Sequence, residues 1–115
     1  MAAPVYNEEH RAGASGKIVA IAKRILSGEL GVVMGARQLV PWRFDVGAEN
    51  DPDFTFFVGV DSETDHLPLG EVRSRWSPDA LKVKDEELRT FETAVRDRAV
   101  RACESLIQKY GEQTG

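Results

Sequence analysis

The sequence predicts an α+β domain in which N-terminal helices and a long C-terminal helix pack on a small antiparallel sheet. Three observations lead there. Ile18, Ile21, Ala22 and Ile25 recur with the period of a core-facing helix. Phe54, Phe56, Val58 and Val60 alternate with Thr55, Phe57 and Gly59 as in a strand. An apolar stripe spaced by threes and fours runs from Leu88 to Tyr110. The alternative architecture is mainly helical with one β-hairpin. At 115 residues, 42% hydrophobic and 30% charged, the chain is one globular domain with enough length to bury a core.

Residues 1–14 carry Pro4, Asn7 and Gly13 and show no period, so they are expected as a flexible arm. The domain is expected over 15–111 and a tail over 112–115. Ser15 is a candidate cap for the first helix, and Ser27-Gly28 breaks it. A second, weaker helix over Leu30–Leu39 carries Gly31 and Gly35, each of which costs about 1 kcal/mol relative to Ala. Pro41 ends it. Residues 42–46 form a short alternating run, and the turn-rich segment 47–53 joins it to 54–60 as a hairpin. A third short strand is expected near 69–75, at an edge because of Pro68. Ser77-Pro78-Asp79 marks a helix start: a cap, a proline in the first turn and an acid that complements the dipole. Trp76 and Leu81 stand at staple positions. A helix over 78–110 would be about 50 Å long, and Lys84-Asp85 interrupts its apolar phase. A bend is therefore expected near 82–85, with a main helix of about 25 residues after it. Acid-to-base pairs at i,i+4 (Asp85→Arg89, Glu92→Arg96, Asp97→Arg101) support its outer face.

Charge is unevenly distributed. The chain has 15 Lys and Arg against 19 Asp and Glu, a net of −4. Between Arg43 and Arg73 there are eight acids and no base, while the flanks carry a net of +4. Bulk nucleic-acid binding needs a basic footprint and is disfavoured. The Leu30–Leu39 helix, with Arg37 alone, makes a poor recognition helix. No apolar run approaches the roughly 20 residues of a membrane span, and no signal-peptide pattern opens the chain. With the lone Cys103, this points to a reducing, cytoplasmic location. Cys103 reads as a small core residue. Gly13-Ala-Ser-Gly16-Lys17 fails the spacing of a phosphate loop.

The candidate site begins at Asp61-Ser-Glu-Thr-Asp-His66. On an extended backbone Asp61, Glu63 and Asp65 point the same way, a set suited to Mg²⁺ or Ca²⁺, with His66 as ligand or base. The calcium-loop pattern fails at His66 and Val72. The competing reading is a turn bonded by its own Asp, Ser and Thr. Arg73, Arg75 and Trp76 form a second group. The arginines would face the 61–65 carboxylates as an internal network, or hold an anion near the start of the last helix.

The functional expectation is a non-enzymatic protein-interaction module, immunity- or inhibitor-like in size and charge, that presents an acidic central loop to a basic protein partner. Its binding residues are Asp61, Glu63, Asp65, His66, Arg73, Arg75 and Trp76. No catalytic residue, metal ligand or cofactor is assigned, no nucleic-acid or membrane partner is expected, and a homo-oligomer is compatible with the sequence. The alternative is a metal-dependent enzyme centred on Asp61, Glu63, Asp65 and His66.

Overall fold

The structure, a computed structural model, describes residues 3–111, with side chains from residue 8 onward. It contains four helices: α1 (Ala3–Ser27), α2 (Val32–Leu39), α3 (Pro52–Glu63) and α4 (Pro78–Gly111). Two 3-10 turns, Val40–Arg43 and Gly70–Arg75, complete it, and no strand occurs among the described residues. The α+β expectation is therefore wrong, and so is the hairpin of its mainly helical alternative. The expected tail at 112–115 lies outside the described residues.

The largest correction is α3. Asp51 is its N-cap and accepts a hydrogen bond from the Asp53 backbone N–H at 2.8 Å, with Pro52 in the first turn. Phe54, Phe57 and Val60 face the core at a spacing of three, while Phe56 and Val58 are half-buried beside them. A helix covered on several sides has an almost continuous apolar run, which also reads as a strand. The expected strand at 42–46 is the end of the first 3-10 turn and the turn that follows it, which pack Trp42 and Val46 on the core. The expected edge strand at 69–75 is the second 3-10 turn.

Helix α1 takes in residues 3–14, so Ser15 is no cap; it is fully buried inside the helix. Gly28, at φ +83°, ends the helix in the left-handed region, and the Leu30 N–H reaches the Arg24 carbonyl at 3.1 Å. Helix α2 packs so closely on α1 that a Cβ at Gly35 would overlap the Ile25 side chain. Ser77 accepts from the Ala80 N–H at 3.2 Å, as expected of a cap. From Pro78, α4 runs without interruption for 34 residues, and the expected bend near 82–85 is absent.

Helices α1 and α3 both run antiparallel to α4. The start of α3 lies at the C-terminal end of α4, where Phe54 meets Tyr110 edge-on at 6.3 Å and Lys109 pairs with Asp51 (2.9 Å) and Asp53 (2.7 Å). The end of α1 and the start of α2 lie at the middle of α4, where the Glu92 carboxylate accepts from the Val33 N–H at 2.9 Å. Gly31, the α2 N-cap, has no side chain to cap with, and Glu92 supplies the acceptor from across the interface.

The core lies between α1, α2, α3 and the second half of α4, where Val95, Ala99, Ala102, Cys103, Leu106 and Tyr110 are buried. Residues 78–94 contain no buried side chain. Phe91, read from sequence as core, is half-buried at the margin. The molecule measures 56 × 28 × 23 Å. Its accessible surface of 7126 Å² exceeds the roughly 6,200 Å² of a compact chain of this mass. The first half of α4 is flanked by the loop over 64–77 and has only Leu88 and Phe91 packed against the core margin.

Candidate functional site

The expected site residues do not converge. Asp61, on the last turn of α3, lies 3.6 Å from Arg37 Nε. Arg37 also donates to the carbonyls of Thr64 and Leu67, closing the end of α3 and the loop after it. The buried Thr64 hydroxyl donates back to the Val60 carbonyl at 2.6 Å. These bonds make 61–66 a helix end and a turn rather than an extended ligand row. Glu63 and Asp65 are exposed and hold no partner among the described residues. His66 turns the other way and pairs with Glu87 on α4. Among the described residues no group of three or more His, Cys, Asp or Glu side chains is arranged to hold a metal ion.

Arg73 does not face the 61–65 carboxylates. It forms a two-pronged bond to Asp85 on α4, at 2.7 and 2.9 Å, and donates to the Pro68 carbonyl at 3.3 Å. The fork geometry of guanidinium and carboxylate explains that choice. It also takes Asp85 from the i,i+4 pairing with Arg89, just as capping takes Glu92 from Arg96. Arg75 is exposed and Trp76 half-buried. The loop over 64–77 is thus tied to the first half of α4 at two points, His66–Glu87 and Arg73–Asp85.

Both ties leave a mark on the carboxylates. The hydrogen bond from Arg73 holds the Asp85 carboxyl below its usual range, and the hydrogen bond from His66 does the same for Glu87. The Cys103 thiol is pushed up to about 12, first by burial and then by Asp53 and Glu104. A thiol so disfavoured as thiolate is a packing residue.

On the same helix half, Val83, Glu86, Glu87, Thr90, Phe91 and Ala94 line a shallow, mostly apolar groove of about 550 Å³, with Glu87 also holding His66. Val83 is 64% exposed, the most exposed of the large hydrophobic side chains among the described residues. Sequence reading missed this face. The sequence stripe counts Leu88 and Phe91 with the core, whereas burial begins only at Val95, and the break in apolar phase at Lys84-Asp85 produces no bend.

The charge asymmetry takes a new form in three dimensions. Residues 61–94, from the end of α3 through the tied loop to the first half of α4, carry nine acids against five bases. The rest of the chain has ten of each, so the whole net charge of −4 falls in this stretch. Its neighbour along α4, 95–111, has four bases and two acids. Comparison with protein-family models, with curated proteins and with solved structures finds no match. No helix among the described residues is long and apolar enough to cross a membrane.

Proposed function

We propose that the chain is a cytoplasmic protein-interaction module, comparable in kind to immunity or inhibitor proteins, which meets a basic partner with its acidic end. One observation carries the reading: the net charge of −4 falls within residues 61–94, and Glu63, Asp65 and Glu86 there are exposed with no partner among the described residues. An acid without an internal cation remains available to one on a partner, and complementary charge accelerates encounter and excludes wrong partners. The metal-enzyme reading has less support, because Arg37 and Glu87 draw Asp61 and His66 apart.

The test is retention of cell proteins on the immobilised chain, wild type against the triple variant Glu63→Gln, Asp65→Asn, Glu86→Gln. Basic proteins held by the wild type, released by added salt and lost on the triple variant are the expected result. Equal retention by both overturns the reading. So does a saturable rise in melting temperature with micromolar Mg²⁺ or Mn²⁺ that Asp61→Asn with Asp65→Asn abolishes, which would restore the metal site.

A further inference from the structure

We propose that the groove on the first half of α4 seats a basic amphipathic helix of the partner, with its apolar side on Val83, Phe91 and Ala94 and its Lys or Arg side chains on the flanking carboxylates. This rests on the acidic-module reading and adds the place and the form of the contact. The lining residues Val83, Glu86, Glu87, Thr90, Phe91 and Ala94 fall at intervals of three and four, so they occupy one face of the helix. That face runs over twelve residues, 83–94, about 17 Å, room for three turns of a helix laid alongside. Helix-in-groove recognition uses anchors at this spacing.

Two features choose the occupant. On the helix half bearing the groove Val83 is 64% exposed, beside Phe91, which is half-buried against the core. An apolar face left to solvent marks an interaction site. The charge is then decisive. Glu86 has no partner among the described residues, and Glu87 meets His66 and Lys84. A second copy of this chain would set its own Glu86 and Glu87 against these, like charge on like, which costs affinity. A helix bearing Lys or Arg beside its apolar stripe meets the acidic excess of this half, five acids against the three bases Lys82, Lys84 and Arg89 over 78–94.

The probe is a fluorescein-labelled, 18-residue Leu/Lys amphipathic peptide, titrated with the full chain and read by anisotropy. A scrambled peptide of the same composition is the control for bulk charge. Val83→Lys changes an exposed side chain, so circular dichroism should show the fold intact. Phe44→Lys makes the same change at another exposed apolar residue, 59% exposed and outside the groove. The expected result is at least tenfold weaker binding for Val83→Lys and for the scrambled peptide, with Phe44→Lys unchanged. Equal binding by Val83→Lys, or by the scrambled peptide, overturns the groove. If that binding still weakens with salt, the acidic reading survives the loss of the groove. Binding lost in Val83→Lys but indifferent to salt overturns the acidic reading and with it the basic occupant. A wild type that sediments as a dimer, made monomeric by Val83→Lys, overturns the proposal in favour of a second copy.

Discussion

Gly35 shows how closely α1 and α2 meet. Ala is the better helix former by about 1 kcal/mol, yet a Cβ at Gly35 would overlap Ile25 Cδ1 and Cγ1, in a side chain that is β-branched, stiff and 1% exposed. Overpacking should win, and Gly35→Ala should lower stability by about 1–3 kcal/mol in urea unfolding. Gly59, inside α3, has nothing within 4 Å of a built Cβ, and Gly59→Ala should raise stability by about 0.5–1 kcal/mol. A stabilising Gly35→Ala would mean that the two helices sit further apart. Glu92 is the second residue whose role lies across an interface. Glu92→Ala leaves the buried Val33 N–H without its acceptor, an expected loss of about 1–3 kcal/mol. Glu92→Gln keeps an oxygen acceptor and should lose less; equal losses would show that the hydrogen bond is not what matters there. Nothing in the sequence near Glu92 announces this role, since the N–H it satisfies belongs to a helix 59 positions earlier.

At the scale of elements, two helix starts share one local grammar, Asp51-Pro52-Asp53 and Ser77-Pro78-Asp79. Asp51→Ala and Ser77→Ala should each cost about 0.5–2 kcal/mol in chemical unfolding, and Ser77→Gly only a few tenths. A silent Asp51→Ala would argue that the helix begins elsewhere. The second start was legible because a clean stripe follows it. The first was hidden because its Pro also suits a turn and because Phe56, Phe57 and Val58 fill both parities of the strand pattern. Helix α1 was legible from Ile18 to Ile25, where one face is apolar, and not before, where small and polar residues show no period. At the site, the residue types were legible but their partners were not. Arg73 and His66 bond to Asp85 and Glu87, and those pairings depend on where α4 lies.

The loop held by these pairs also carries a pH dependence. Both carboxyls are held below their usual range in the folded chain, so their contribution is present at neutral pH and is lost as the pH falls through those lowered values. Acidification below about pH 4 should therefore release the loop before the core. Trp76 emission in a Trp42→Phe background should shift red while helical circular dichroism persists. A shift that waits for loss of helix would contradict the tie.

For the whole molecule, the claim that matters is that α4 is two things in one helix, a core element from Val95 onward and a half with no buried side chain before it. The first half is held by two loop ties and by half-buried side chains, the second by a buried stripe. Local opening follows buried contact, so the two halves should differ in stability although their backbone geometry is the same. Amide hydrogen exchange along α4, with and without the basic amphipathic peptide, tests this most directly. Residues 80–91 should exchange faster than 95–106 by tenfold or more in the free chain, and the peptide should slow the first stretch alone. Uniform protection along α4, or slowing by the peptide confined to 95–106, would contradict it.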